Sequence, residues 1–295
     1  MTDPIGNRCI DPKGLMLFFV ELINEGVTRK ELGIAIKKGG LKVNMKYQWR
    51  ITKYNPAFRD QDGVYMKDEW ISSSDIGQTF NGKELTLNEY LEVEKAYVHA
   101  VMEFLKESQL TSLRIIQLQI HHEFLSDKSS LLYEEAFYLP IVEDAVIHEK
   151  DIPTVCKMVL RDYIHCHFVS MGQFFVHFGW DYYMYIGSNQ PCNNAIKFAQ
   201  NNKLFVEEYP SPYYLVEEKV IRYVEWAAKN EEVIVGEERL QNVPLSELQK
   251  ALHLSEEHPV IGSFTIKHDN KDFFQQFINH KMDFSKYEYY LYCGD

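Results

Sequence analysis

The sequence predicts an α+β protein, with mixed or antiparallel sheets, packed helices, and two domains behind a short N-terminal helical segment. Three observations lead there. Short runs rich in aromatic and β-branched residues, such as 45–54 and 163–178, alternate in hydropathy and are bounded by turn residues. One long segment repeats its apolar residues at helical spacing instead. Finally, 295 residues with 45% hydrophobic content are enough for more than one core.

In chain order, Pro12 precedes the apolar stretch Leu15–Ile23, closed by Gly26, which predicts a short helix. Thr28 and Glu31 then have capping-box spacing for a second helix to about Lys38, stopped by Gly39 and Gly40. The pair mimics a helix-turn-helix. Its second helix lacks the Arg, Asn and Gln run that reads base edges, so a packing or assembly role is the better expectation.

Met45–Tyr54 predicts a strand ended by Asn55 and Pro56, and Val64–Trp70 a second strand. The loop at Asp60–Gly63 lacks the closing Glu of a calcium loop, so it predicts a turn. Thr86 and Glu89 form a second capping box, opening a helix over 86–107 with Tyr90, Val93, Tyr97, Ala100, Val101, Phe104 and Leu105 on one stripe. A strand follows at 113–120. Residues 123–151 are acidic and irregular, with Glu134, Glu135, Glu143 and Asp144 expected on a solvated excursion.

Pro153 starts a helix of about ten residues. Tyr163–Val169 and Phe174–Phe178 predict a hairpin, with a bulge at Gly179 and a third strand over 181–186. A helix over 191–202 and a strand over 204–208 follow. Tyr209-Pro210-Ser211-Pro212 marks the expected domain boundary. Beyond it the pattern predicts helices at 217–230, 245–252 and 271–280, with strands at 260–267 and 286–292. The expected division is therefore a helical segment over 1–44, an α+β domain over 45–208 and a smaller α+β domain over 209–295.

Acidic residues outnumber basic ones by 43 to 31, giving a net charge of −12. Such a balance repels phosphate backbones and favours basic partners, which argues against direct nucleic-acid binding. The first 60 residues run the other way, so one copy's N-terminal region could meet another's acidic flank, and self-association is expected. Five scattered cysteines (Cys9, Cys156, Cys166, Cys192 and Cys293) with no CxxC pair fit reduced thiols. The apolar run 15–20 is too short to span a bilayer. A soluble, cytoplasmic protein is expected, without membrane contact.

Chemistry-bearing patterns are sparse. His165, Cys166 and His167, with His177 beyond the turn, form the most enzyme-like group. Pairing Val169 with Phe174 would set Cys166 opposite His177, leaving His165 and His167 on the other face. That split suits a single tetrahedral metal site poorly; it leaves a Cys166–His177 nucleophilic pair geometrically open, but without an identifiable orienting Asn or Asp or an oxyanion-hole sequence. His121-His122-Glu123 points to both faces, and the adjacent carboxylates Glu231-Glu232 and Glu237-Glu238 diverge. Phosphate loops and nucleophile elbows are absent from the sequence. No catalytic, cofactor-binding or metal-ligating residue is assigned, and no enzymatic activity is expected.

Tyrosine beside acid is the more suggestive pattern. Trp180, Tyr182, Tyr183 and Tyr185, then Glu207, Glu208, Tyr209, Tyr213, Tyr214, Glu217 and Glu218, form the candidate partner interface, because tyrosine supplies stiff contact area with a polar end. Alternation puts Tyr183 and Tyr185 on one face and Tyr182 and Met184 on the other, with one face in the core.

The segments KYQWRITKYNPAFRDQDGVYMKDEWISSSDIG (46–77) and FVHFGWDYYMYIGS (175–188) look like segments of uncharacterised proteins from Bacillus and its phages, and the chain's length, acidity and absence of catalytic motifs resemble phage anti-defence proteins that block the bacterial Gabija system. The resemblance covers under a fifth of the chain. It implies a homo-oligomeric inhibitor in the host cytoplasm, without catalysis, that surrounds the Gabija nuclease and helicase subunits and stops DNA binding and cleavage. It carries over no site residue. The alternatives are an immunity-type protein that neutralises a toxin, and a metal-dependent hydrolase using His165 and His167.

Overall fold

A computed structural model describes residues 45–126, 130–137, 140–229 and 233–295. The two helices expected within 15–38 lie outside the described residues. Residues 45–295 form one compact unit. Helices and antiparallel sheets make it α+β.

Strand β1 (Tyr47–Thr52) leads through a long loop to the small hairpin β2 (Thr79–Phe80) and β3 (Lys83–Glu84). Next come α1 (Leu87–Glu107), β4 (Ser112–Ile120), α2 (His122–Ser126), β5 (Val146–His148) and α3 (Ile152–Leu160). They are followed by β6 (Ile164–Ser170), β7 (Phe174–Phe178), β8 (Met184–Ser188), α4 (Asn193–Asn201) and β9 (Phe205–Glu208). The remainder supplies β10 (Ile221–Ala228), β11 (Ile234–Arg239), α5 (Leu245–Ala251), β12 (Gly262–Ile266), α6 (Lys271–Phe274) and β13 (Tyr287–Gly294). Seven strands pair in the order β5-β4-β6-β7-β8-β1-β9, and four in the order β11-β10-β13-β12. The expected boundary at 209 falls in the stretch that links the two sheets.

Helix α1 begins where the capping box places it. The Thr86 hydroxyl accepts from the Glu89 amide at 3.2 Å, and the Glu89 carboxylate accepts from the Thr86 amide. Its stripe of Tyr90, Tyr97, Ala100, Val101, Phe104 and Leu105 is buried in the main core with α3 and one face of the large sheet. Burying a side chain such as Phe104 contributes about 2–3 kcal/mol. One member of the buried face is charged: Glu94 takes a bidentate pair of hydrogen bonds from Arg161 at 2.5 and 2.7 Å. The four-stranded sheet has its own core, in which Val224, Tyr289 and Leu291 meet Leu248 of α5 and Phe274 of α6.

Several elements differ from expectation. The helix expected at 217–230 is a single 3-10 turn, Glu217–Lys219, followed by β10. Its residues alternate, with Val224 in the core and Tyr223 and Glu225 on the other side, and charge had masked that period of two. Its neighbour β11 was missed for the same reason. The strand expected at 64–70 is loop, with a single bridge between Arg59 and Tyr65. The third hairpin strand begins at Met184, because Asp181 and Tyr182 form a turn. Helix α6 ends at Phe274 instead of His280, since the Gln275 side chain bonds the carbonyls of Ile278 and His280 and the amide of Met282. The loop at Asp60–Gly63 is the turn expected: the Asp60 carboxylate accepts from the amides of Asp62 and Val64.

Of the acids expected on a solvated excursion, Glu135 is exposed, but Glu134, Glu143 and Asp144 are bound within the protein. Glu134 pairs with Lys157 and Arg161. Strand β4 bulges between Ile116 and Gln119, and Glu143 caps the freed amides of Gln117 and Leu118 at 2.9 and 2.6 Å. The same carboxylate accepts from His258, whose other ring nitrogen accepts from the Val260 amide. Those two bonds require a neutral imidazole with its proton on Nε2. Asp144 holds Arg114 and both the amide and hydroxyl of Ser255. This seam joins the two sheets. Among the described residues, no helix is long and apolar enough to cross a membrane.

Candidate functional site

The hairpin of β6 and β7 has a register one residue from that expected. Ser170 pairs with Phe174, so His167 lies opposite His177. His165, His167 and His177 therefore share a face, and Cys166 lies on the other, fully buried in the main core. Neighbouring ring centroids are 5.2 Å apart for His165 and His167 and 4.8 Å for His167 and His177. His177 stacks on Phe175 at 4.1 Å and shares a 2.8 Å hydrogen bond with the Ser211 hydroxyl. Nδ1 of His167 is buried without a hydrogen-bond partner.

Burial, reinforced by His165, pushes the His167 pKa down to about 3. Burial also drives His177 well below its ordinary value, with His167 adding to the effect. All of this favours neutral rings. Burial raises the Cys166 thiol well above its usual range, which leaves it without the thiolate that nucleophilic chemistry needs. Among the described residues, no group of three or more His, Cys, Asp or Glu is placed to hold a metal ion.

The face that carries these histidines is covered by the segment after β9. Tyr213 packs on His167 at 5.3 Å and on Tyr185, while Tyr214 stacks on Phe175 at 5.2 Å. The alternation expected at 182–185 is present. Tyr182 and Met184 enter the helix-covered core, and Tyr183 and Tyr185 lie on the strap-covered side. Tyr182 and Tyr185 are both 8% exposed, and the Tyr182 hydroxyl donates to the Leu160 carbonyl at 2.7 Å. These two tyrosines hold the fold together and offer little to a partner.

Trp180 differs from them. The turn between β7 and β8 closes with Gly179 donating to the Tyr183 carbonyl at 2.7 Å and Tyr183 donating to that of Trp180 at 3.0 Å. Its central residues, Asp181 and Tyr182, have φ of 54° and 62°. Both lie in the left-handed region, which Gly or Asn adopts readily and Tyr does not. The buried hydroxyl bond and ring packing of Tyr182 hold that conformation, and Trp180 stands out at 84% exposure.

Two acids of the candidate interface are held by arginines of the same chain. Glu207 receives Arg50 at 3.1 Å and Arg59 at 2.7 Å, and Glu217 receives Arg222 at 2.9 Å. Glu208 and Glu218 are exposed. Arg50 lies 4.2 Å from the ring of Tyr209, itself 43% exposed, and both arginines approach Tyr183. The loop that carries Arg59 also exposes Phe58, Val64 and Met66, the last at 66%. The structure thus joins Tyr209, Glu207 and Tyr183 around two arginines; Glu217 and Glu218 belong to the linker before β10.

Two features had no signal in the sequence. Lys53 lies 4.0 Å from the rings of both Tyr54 and Trp70 and 3.5 Å from Glu69, and burial lowers its pKa to about 8 against the pull of that carboxylate. A cleft of about 420 Å³ opens between β4 and β12, with Gln117, Gln119, His165, Thr265 and Lys267 in its wall. Both depend on residues distant in sequence.

Residues 221–292 match a family described as a domain of unknown function (DUF7683). That stretch holds β10 to β12 and most of β13, the whole of the smaller sheet's hydrogen-bonded ladder apart from its final residues. No curated protein and no solved structure shows significant similarity to the chain.

Proposed function

We propose that this protein is a non-catalytic inhibitor that covers a basic nucleic-acid-processing complex. The target is the bacterial Gabija nuclease–helicase complex, as the chain's resemblance to phage anti-defence proteins implies. The observation that carries this reading is the exposed Trp180 on its strained turn. A protein spends backbone strain of about 1–3 kcal/mol where it must hold a group in place, and a pre-positioned tryptophan loses little freedom on binding. The two resembling segments are also neighbours, because β1 pairs with β8 from Tyr47–Ser188 to Ile51–Met184.

A net charge of −12 speeds approach to a DNA-binding surface, while exposed ion pairs contribute only about 0–1 kcal/mol each. Affinity then rests on Trp180, Tyr209 and the exposed Phe58 and Met66. Repetition in a homo-oligomer multiplies it by avidity.

The test is DNA cleavage by purified Gabija complex with the full chain added. Wild-type protein should suppress cleavage, and Trp180→Ala should need at least tenfold more protein for the same effect. Cleavage untouched by wild-type protein removes the target. Equal potency of Trp180→Ala removes the site.

A further inference from the structure

The four-stranded sheet buries one face and leaves the other open. Two complete rows of side chains cross the open face. In register they are Arg239, Tyr223, Tyr292 and Ser263, and beside them Glu237, Glu225, Tyr290 and Thr265. Tyr292 is 37% exposed, Arg239, Glu237, Ser263 and Thr265 are exposed, and Tyr223, Glu225 and Tyr290 are half-buried. Glu225 and Glu237 are direct cross-strand partners, an arrangement that destabilises a sheet through like-charge repulsion. Among the described residues neither forms an ion pair. Burial, and then Glu237, raises the pKa of Glu225, as two carboxylates without a shared cation require.

We propose that this face docks an extended, basic segment of a partner protein, whose Lys or Arg side chain sits between Glu225 and Glu237. Tyr223, Tyr290 and Tyr292 supply the flanking surface, because a tyrosine ring attracts a cation to its face and covers its alkyl stem. Four strands about 4.8 Å apart and about five residues long give a face of roughly 300 Å². A stable protein–protein interface needs about 800 Å² from each partner. The platform therefore takes one segment and not a whole domain, and its affinity alone is weak. It lies apart from Trp180 in the sequence and uses different strands, so it stands whether or not the target is a Gabija complex.

The test uses the full chain and a fluorescein-labelled alternating Lys-Ser decapeptide, read by anisotropy at low and moderate salt. Glu225→Gln with Glu237→Gln should weaken binding about tenfold and flatten its salt dependence, and Tyr290→Ser with Tyr292→Ser should weaken it similarly. The exposed pair Glu92→Gln with Glu247→Gln removes the same charge elsewhere and should change binding less than twofold. A rise in Tm for the Glu225/Glu237 variant shows that it folds and that the repulsion is relieved. Equal losses in both charge pairs would mean unspecific attraction and overturn the proposal. So would a concentration-dependent dimer of the free chain that the Glu225/Glu237 variant dissolves, since the occupant would then be a second copy.

Discussion

Residues that look alike in the sequence diverge by environment. Trp180 and Tyr182 are two positions apart, yet one is 84% exposed and the other 8%. Trp180→Ala should leave stability within about 0.5 kcal/mol of wild type, as expected for a surface position, and its Tm should coincide with wild type. Asp181→Val should cost about 1–2 kcal/mol, because a β-branched residue cannot adopt φ of 54° without strain, and urea unfolding would measure it. The histidines give a pH signature. His167 titrates near 3 when folded but near 6.5 when unfolded, so the unfolded chain binds the extra proton between those values. Its contribution is intact above about 6.5 and is lost as pH falls toward 3, at up to about 1.4 kcal/mol per pH unit. Urea midpoints from pH 7 to 4 should fall, and His167→Gln should flatten the decline. An equal decline in that variant would assign acid sensitivity to other groups.

Among elements, α1 was the most legible and β10 the least. The 86–107 helix announces itself through its cap and a stripe sampled over many turns. Ile221–Ala228 is short and mixes Arg222 and Glu225 with apolar residues, and its period of two emerges only once β11 and β13 flank it. The β6–β7 hairpin was found, but its register slipped by one, which moved Cys166 and His177 to opposite faces. Packing between elements allows a sharp test at Gly187. A Cβ there would lie 2.2 Å from the Phe175 ring, so Gly187→Ala should destabilise the β7–β8 pair by about 1–3 kcal/mol, visible as a lower Tm. Glu94 joins α1 to Arg161 just beyond α3. Glu94→Ala should cost about 3 kcal/mol, because it strips a buried guanidinium of its bidentate partner and leaves it Glu134 and the Leu132 carbonyl alone.

At the scale of the whole molecule, the seam between the sheets decides how the chain unfolds. Glu143 and Asp144 hold the β4 bulge, His258, Ser255 and Arg114 together. Asp144→Ala removes the carboxylate that accepts three of these hydrogen bonds while leaving both hydrophobic cores whole. Calorimetry of that variant should resolve two transitions, one per sheet, where wild type shows one for residues 45–295. A single transition at a lower temperature would show that the sheets remain coupled without the seam. The same internal pairing changes the meaning of the charge count: Glu94, Glu134, Glu143, Asp144, Glu207 and Glu217 face cations or donors of their own chain.

The sequence by itself determined the α+β class, the capped helix over 86–107, most strand positions and the inward and outward split of Tyr182 to Tyr185. These follow from local periodicity, and local periodicity is written along the chain. Only the tertiary structure decided the histidine face, the exposure of Trp180, the cage around Lys53 and which carboxylates lack a partner. Each of those depends on which strand lies beside which and in what register, and a shift of one residue inverts every face.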